Sequence, residues 1–513
     1  MHNKKLLVFL LMVSTTYLFA QTGINSYYYT IQKNLALNSY TESEEPIQLK
    51  DSSSLFISQE SMFSILPVSF FSSYNSSYQN GGYDGGLWQG KGLNTQLIGG
   101  FYHKSRFLEI VFAPEVNFSQ NAQFSLIDSV YKKANKYGNV FNQIDLPQRF
   151  GDEHLLNWNL GESLIRANYK NLYVGFGTEN SWVGFSNFSP FLYSNNASGY
   201  PKFELGLKST TTQIGDFEFR TWGGVLSESN YFDDDSDNDN WLQTALAFGY
   251  RPSFIRGFSI GVNRFINTPM DGDSDWYWEL FDYSFNTGRY KNDDPSGDFD
   301  VKDQRVSITS EWKFPSVGLR IYGEAARNDS FSNLRRLFQT PWQSMVFDGG
   351  FEKSFLLESG AYFNINLEIA NTWESRDYHL SGSYRPGLFY SHNVIRQGYT
   401  NEGQILGSYI GSGSDYQTIR FIYGYQDLYS MGLRFHRMTR NDDYIYSAVY
   451  YEDADYDKSN INVEILSAVF GHYKFDSFWL SGELGYAVDY AHNYDSDLNV
   501  NNVFASFELK YMF

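Results

Sequence analysis

The sequence contains no cysteine, which excludes disulfides, thiolate zinc sites and cysteine nucleophiles. That absence suits a compartment in which stray thiols would oxidise. A basic surplus is also lacking: 58 acidic residues face 39 basic ones and the formal net charge is -19, so we expect no nucleic-acid partner. Beyond the N-terminus the chain has no long apolar run, and its mean hydropathy of -0.42 excludes a helical membrane protein.

The first twenty residues have the pattern of an export signal. Lys4 and Lys5 precede an apolar stretch from Leu6 to Ala20, which is too short for a convincing membrane-spanning helix. We therefore predict a signal peptide over residues 1–20. No cysteine follows the apolar stretch, so a lipid-anchored lipoprotein is excluded.

Aromatic residues are abundant, with 41 Tyr, 44 Phe and 11 Trp making up 19% of the chain. A soluble core does not need so many, whereas the two aromatic girdles of a transmembrane barrel do. The alternative is a large secreted β-solenoid or sandwich with many exposed tyrosines. Strand patterns along the chain favour the barrel.

The C-terminal strand alternates with period two. A strand with lipid outside and a polar lumen inside has an apolar face opposite a charged one. One face of this strand carries Val503, Ala505, Phe507, Leu509, Tyr511 and Phe513, and the other carries Ser506, Glu508 and Lys510. It resembles the terminal signal that outer-membrane barrels present to their insertion machinery, which we therefore expect as a partner together with outer-membrane lipid.

Alternation recurs elsewhere, and its polar faces carry both charges. We expect these side chains to point into the lumen and to pair across neighbouring strands. They are Arg305, Arg320 and Arg434 against Glu311, Glu324 and Glu483.

Three acidic loops interrupt the strands at residues 233–240, 271–275 and 453–457. Their spacing departs from the calcium-loop pattern, which requires a Gly after the third ligand and a terminal Glu. Solvated extracellular loops are thus favoured over divalent-cation sites, and we predict no metal and no cofactor.

No motif predicts catalysis. Gly257-Phe258-Ser259-Ile260-Gly261 matches the G-x-S-x-G pattern, but that nucleophile elbow needs a strand, a sharp turn and a helix. Here the alternation continues without a break. We predict no catalytic residue and no enzyme.

Three stretches break the alternation with Gly, Asn and Trp: Asp84–Asn94, Glu179–Pro201 and Gly398–Gly411. Aromatic faces pack against the apolar face of a pyranose, and amide and carboxylate groups match vicinal hydroxyls. The alternative is that these stretches are barrel bends and inward-folded loops. The candidate carbohydrate-binding residues are Asp84, Trp88, Gln89, Lys91, Asn94, Trp182, Asn195, Asn196 and Tyr399.

The same stretches resemble the Wzi family of capsule-assembly outer-membrane proteins. The matching segments appear in the family's order along the chain. They are DGGLWQGKGLN (Asp84–Asn94), IDLPQRFGDE (Ile144–Glu153), ENSWVGFSNFSPFLYSNNASGYP (Glu179–Pro201), FEFRTWGGVLSES (Phe217–Ser229) and GYTNEGQILGSYIG (Gly398–Gly411).

The resemblance implies an all-β, transmembrane antiparallel barrel of about 18 strands with a small periplasmic helical plug. We place an N-terminal periplasmic or plug segment at 21–70 and the barrel, with inserted short helices, at 71–513. The amphipathic segment 124–137 is the candidate for part of the helical element.

The resemblance also implies a lectin-like role, in which the protein holds capsular or other exopolysaccharide at the cell surface without catalysis. A passive porin or a polysaccharide export channel is the alternative. Capsular sugars are often acidic and so is this protein, so local cations such as Lys91 or Arg396 would have to supply attraction.

Overall fold

The structure, a computed structural model, describes residues 46–51, 63–127, 135–139, 143–233, 235, 238–270, 302–328, 338, 341–342, 344–374, 388–392, 395–440, 442 and 460–513. Strands dominate these residues. In chain order they are β1 (Leu49–Asp51), β2 (Phe63–Asn75), β3 (Gly92–Lys104), β4 (Leu108–Phe112), β5 (Glu115–Ser119), β6 (Leu155–Asn159), β7 (Leu164–Tyr169), β8 (Leu172–Gly177), β9 (Ser181–Val183), β10 (Lys202–Thr212), β11 (Gly215–Ser227), β12 (Asn240–Pro252), β13 (Phe258–Pro269), β14 (Asp303–Phe314), β15 (Leu319–Asn328), β16 (Met345–Leu356), β17 (Ala361–Asn371), β18 (Thr400–Asn401), β19 (Gln404–Ile405), β20 (Asp415–Tyr425), β21 (Tyr429–Thr439), β22 (Val463–Phe475), β23 (Phe478–Tyr490) and β24 (Val500–Tyr511).

Most of these strands form one closed antiparallel sheet. Its first and last strands meet where β2 pairs with β24, from Val68 opposite Tyr511 to Asn75 opposite Phe504. Strands β4 and β5 both pair with β3 on one side, and on the other side β4 pairs with β7 and β5 pairs with β6. Together, β4 and β5 therefore form one wall strand interrupted by an irregularity, and β6 and β7 form the next. The described residues therefore form an 18-stranded barrel, as the resemblance implied.

The two ends of the barrel differ in their connections. At one end the strands are joined by tight turns, such as Lys170-Asn171 between β7 and β8 and Asp476-Ser477 between β22 and β23. At the other end the connections are long, as at residues 178–201 and 372–414. Short turns are typical of the periplasmic side of an outer-membrane barrel and long loops of the extracellular side.

The outer face of the wall is apolar. Along β24, Val503, Phe507 and Tyr511 are exposed, whereas Asn502 and Glu508 are buried inside. The predicted lipid and lumen faces of this strand are confirmed. Among the described residues, no helix is both long and apolar enough to cross a membrane.

Charged side chains line the lumen and pair there. Arg320 Nε donates to Glu311 at 2.5 Å across β14 and β15, as predicted. Arg434 Nη2 donates to Glu483 at 2.7 Å, although β22 separates their strands. Arg305 instead donates to Asp303 on its own strand at 2.7 Å. These charges are buried, and a buried charge without a partner has a high desolvation free energy, so they are paired.

The lumen is filled by inward-folded chain. The connection 178–201 dips into it and carries β9, which pairs with β1 inside the barrel. Aromatic residues from the connections pack into one core with wall residues such as Trp222 and Phe265. The core residues from the connections include Phe191, Leu192, Tyr193, Phe389, Tyr390 and Tyr399.

The helical plug expected from the resemblance is wrong for the described residues. The lumen holds extended and irregular backbone, and residues 124–127 of the proposed amphipathic helix have no regular structure. Residues 128–134 lie outside the described residues. In the N-terminal segment, the amides of Ile47, Gln48 and Leu49 donate to the Glu218 carboxylate and not to carbonyls of their own segment, so this part of the expected plug is extended chain.

The wall begins at Phe63, eight residues before the barrel boundary placed at 71. Residues 46–51 of the segment placed before the barrel lie inside the lumen, where Ile47, Gln48 and Leu49 are buried. The signal peptide at 1–20 lies outside the described residues and stays a prediction.

Candidate functional site

A cavity of about 100 Å³ lies in the lumen near the long-loop end. Its wall side consists of the inner faces of β2, β20, β21, β23 and β24, and its loop side comes from three connections. The lining loop residues are Asn80, Gly81, Gly82, Tyr83, Asp84, Gln89, Trp182, Asn187, Phe188 and Tyr409. The strand residues around it include Tyr416, Arg420, Arg434, His436, Glu483 and Ser506.

Three aromatic rings form the loop side of the cavity. The centroid of Tyr83 lies 4.8 Å from that of Trp182 and 5.1 Å from that of Tyr409, both in inclined arrangements. Trp182 Nε1 donates to the Ser186 carbonyl at 2.9 Å, and the Tyr83 hydroxyl contacts the Phe188 carbonyl. These bonds fix the rings in place, and packed aromatic surfaces of this kind suit the apolar face of a sugar.

Asp84 and Gln89 supply polar groups beside the rings. Burial raises the pKa of Asp84 to about 7, while hydrogen bonds from the Gln89 side chain and the Gly82 amide oppose that rise. Glycine is needed at position 81, because a Cβ there would lie 2.6 Å from Asp84 Oδ2 and 2.7 Å from Gln89 Cβ. A carboxyl group that is partly protonated near neutral pH can donate as well as accept a hydrogen bond.

The strand side of the cavity carries charge. Arg434 donates to Glu483 Oε1 from Nε at 3.1 Å and from Nη2 at 2.7 Å. The Arg420 guanidinium lies 3.8 Å from the centroid of the Phe188 ring. These groups offer a fork of donors and a carboxylate, the pair that polyhydroxylated ligands use.

His436 adds a polar atom without a partner. Its Nε2 lies 3.0 Å from Glu464 Oε1, whereas its Nδ1 is buried and has no hydrogen-bond partner among the described residues. Buried polar atoms are nearly always satisfied in native proteins. A ligand or water in the cavity would satisfy this one.

Of the nine candidate residues, Asp84, Gln89 and Trp182 line this cavity. Trp88 packs edge-on against Phe150, with centroids 4.9 Å apart. Lys91 is partly exposed and does not line the cavity.

The remaining candidates support the loops. Asn94 donates to the carbonyls of Gly90 and Gly92, and Tyr399 donates to that of Leu192 at 2.8 Å. Asn196 donates to the Ile405 carbonyl, and the backbone carbonyl of Asn195 accepts from Gly85. The contacts of these four residues agree with the alternative interpretation, in which their stretches are inward-folded loops and not sugar-binding sites.

Sequence reasoning missed several cavity residues. Tyr83 and Tyr409 lie next to or inside the stretches already singled out, so their position was a usable signal. Arg434 and Glu483 were assigned only to the lumen, and His436 lies two residues after Arg434 on the same face of β21. Nothing local to β21 or β23 indicates that their inner faces meet at a cavity.

No group of three or more His, Asp or Glu residues is arranged to hold a metal ion in the part of the chain that the structure describes. Of the three acidic loops, those at 271–275 and 453–457 lie outside the described residues. So do positions 234, 236 and 237 of the first loop.

Fold and cavity define the class: a transmembrane β-barrel of the outer-membrane type, with a filled lumen and an aromatic, polar cavity at the long-loop end. The chain belongs to the family of the capsule assembly protein Wzi, whose family model matches residues 89–503. The predictions of the family, of capsule assembly and of the outer membrane as location are confirmed.

Solved structures resemble this chain to different degrees. One is Wzi from Escherichia coli, described as a carbohydrate-binding β-barrel and an outer-membrane protein involved in group 1 capsule assembly. It matches with a TM-score of 0.59 and 13% identity over 88% of this chain and 85% of that one. OccD3 (OpdP) from Pseudomonas aeruginosa has a TM-score of 0.40 and 11% identity, covering 93% and 97%. No curated protein sequence matches the chain.

Proposed function

We propose that this protein binds capsular or other exopolysaccharide at the cell surface and does so without catalysis. The cavity at the long-loop end is the observation that carries the proposal. It combines the ring surfaces of Tyr83, Trp182 and Tyr409 with the polar groups of Asp84 and Gln89. Aromatic surfaces with fixed donors and acceptors around them fit a sugar ring better than an ion or an apolar ligand.

Membership in a capsule-assembly family supports the nature of the ligand. The description of the Escherichia coli protein as a carbohydrate-binding barrel agrees with it. Outer-membrane lipid would contact the apolar outer face of the wall. The aromatic C-terminal strand is the feature we expect the insertion machinery to read.

The alternative of a passive channel is less well supported. Conduction needs a continuous water-filled path, whereas packed aromatic side chains from the connections occupy the described lumen. A purified barrel in a planar bilayer should therefore give no steady conductance. Long-lived open steps would favour the porin.

Purified protein and exopolysaccharide from the cells that express it provide the direct test. Trp182→Ala removes the ring that Tyr83 packs against and should weaken polymer binding at least tenfold, since buried aromatic anchors dominate binding energy. Trp312→Ala is the matched control, because Trp312 is exposed on the outer face and should leave binding unchanged. Equal binding by both variants and the parent would show that the cavity is not the polymer-binding site.

A further inference from the structure

The first described segment of the chain, residues 46–51, is held in the lumen by side chains of the barrel wall, and we call this binding position its seat. Glu218 on β11 accepts the N–H groups of Ile47 and Gln48, both at 2.6 Å, and of Leu49 at 3.1 Å. Three backbone donors on one buried carboxylate satisfy both partners, so this seat is specific for extended chain.

The side chain of Gln48 extends the seat across β12, β13 and β14. Its Nε2 donates to the Phe248 carbonyl and to Asn263 Oδ1, each at 2.9 Å, and its Oε1 accepts from Thr309 at 2.7 Å. Gly261 is needed here, because a Cβ at that position would lie 1.9 Å from Gln48 Oε1. The wall thus leaves space for this side chain.

Asp51 closes the other end of the segment. Its carboxylate accepts from Arg166 at 2.8 Å, from Arg220 at 2.5 and 3.0 Å, and from Ser181 at 2.9 Å. Ser181 belongs to β9, so the same carboxylate joins the segment, the wall and the inward loop.

The strand β1 in this segment also holds a residue of the cavity. In the β1–β9 ladder, Lys50 lies opposite Trp182 and Leu49 opposite Val183, and the Gly184 amide donates to the Gln48 carbonyl at 3.1 Å. Trp182 lines the cavity, so the position of its backbone is set by β1. Phe63, twelve residues after Asp51, starts β2 at the tight-turn end. The segment thus lies beside a cavity residue, and the wall strand that follows it in sequence begins at the tight-turn end.

We propose that seating of residues 46–51 switches the saccharide cavity on: with the segment seated, β9 holds Trp182 in place, and with it withdrawn, the cavity loses that wall. This inference rests on the proposed saccharide binding. Linkage between two sites is reciprocal, so bound polymer must in turn hold the segment in its seat.

The reciprocal effect is measurable on the unaltered protein. Saturating exopolysaccharide should slow hydrogen exchange at the amides of Ile47, Gln48 and Leu49 by about tenfold, within the usual range of coupling between sites. Unchanged exchange at these amides, with polymer demonstrably bound, would overturn the inference.

A variant and a cross-link test the forward effect. Glu218→Gln removes the charge and one acceptor oxygen from the seat and should weaken polymer binding about tenfold. Glu352→Gln is the control, because Glu352 on β16 is a buried inward carboxylate that accepts from Asn364 at 2.9 Å and belongs neither to the seat nor to the cavity lining. It should bind polymer like the parent.

Because the chain has no native cysteine, a single engineered disulfide can fix the segment in its seat. Leu49 and Val183 are a non-hydrogen-bonded antiparallel pair, whose Cα atoms lie about 4.5 Å apart, within disulfide range. Adding Leu49→Cys and Val183→Cys to Glu218→Gln should restore parent affinity when oxidised and lose it again when reduced. Binding by Glu218→Gln equal to the parent, or no recovery on oxidation, would overturn the inference. A parent chain that binds no polymer would instead overturn the proposed function.

Discussion

The two sides of the lumen satisfy buried polar groups in different ways. On the side of β7 and β11, Arg166, Arg220 and Glu218 meet charges or amides supplied by the chain itself. On the side of β20 to β24, a cavity remains between the wall and the loops, and the Nδ1 atom of His436 has no partner among the described residues. One side is closed by intramolecular contacts, and the other has space for a ligand. Where buried charges are paired within the chain on one side and a cavity with a polar lining remains on the other, the cavity indicates a binding site better than residue type does.

The largest effect should come from breaking the compensated side. Arg166 pairs with Asp51 at 2.8 Å and Glu179 at 3.3 Å, and also contacts Glu204. Arg166→Ala leaves three buried carboxylates short of a cation and should cost about 3–5 kcal/mol of unfolding free energy. Denaturant unfolding in detergent micelles measures it.

Lys474→Ala is the control for that experiment. Lys474 pairs with the half-exposed Asp427 at 3.0 Å on the surface, where an ion pair contributes less than about 1 kcal/mol. Equal losses in the two variants would show that burial does not govern these pairs.

Glu368→Gln should have an intermediate effect. Glu368 accepts from the amides of Asn187 and Phe188 and from the Tyr322 hydroxyl at 2.8 Å, and it also contacts Ser189. We expect a loss of about 1–3 kcal/mol, because a buried acceptor set is left incomplete.

Polymer binding by Glu368→Gln should also weaken, since Phe188 lines the cavity. The exposed Glu358 in the β16–β17 turn gives the matched variant Glu358→Gln, which should change neither quantity. Unaltered binding by a destabilised Glu368→Gln would separate this loop from the site.

Asp84→Asn tests the cavity through pH. The pKa of Asp84 is raised from 3.8 to about 7 in the folded protein, so the folded state binds the proton more tightly than the unfolded state. Stability from this group is therefore largest below about pH 4, falls as the pH rises towards 7, and stays low above it.

Asn mimics the protonated form and should stabilise the protein at pH 8 but not at pH 4. We expect a gain of about 1–2 kcal/mol, less than the full pKa shift implies, because the loop can open locally before the barrel unfolds. Thermal unfolding of parent and variant across this range measures it. A gain that is the same at both pH values would contradict the role of burial.

The smallest effect is expected at Lys91. This partly exposed side chain does not line the cavity, and exposed charges are screened by salt. Lys91→Glu should change polymer affinity less than about twofold at physiological salt. A tenfold loss would revive local attraction by Lys91, as the sequence first suggested, and would extend the site towards the surface.

Local patterns made the wall predictable. Alternation along β24 separated the lipid face of Val503 and Phe507 from the lumen face of Glu508, because the side-chain period of a strand is two. The seat of β1 was not predictable, since Glu218 lies 171 residues from Ile47 and no local pattern joins them. The helical plug was expected from the resemblance, and the amphipathic pattern at 124–137 was assigned to it, but the described residues 124–127 have no regular structure.

The candidate site was predictable only in part. Trp182 and Asp84 were found by residue type, and they line the cavity. Asn94 and Tyr399 were chosen on the same grounds, but their side chains donate hydrogen bonds to backbone carbonyls of the protein. A side-chain amide that binds a sugar and one that supports a loop look alike in sequence, and only the packed structure distinguishes them.

Capsule retention by cells carrying Trp182→Ala is the most direct test of the account. Cell-bound and released polysaccharide would be measured at matched amounts of folded barrel, beside the parent and Trp312→Ala. We predict that Trp182→Ala sheds polymer into the medium with total synthesis unchanged, while Trp312→Ala retains it. Retention by Trp182→Ala equal to that of the parent would contradict the cavity as the site of attachment.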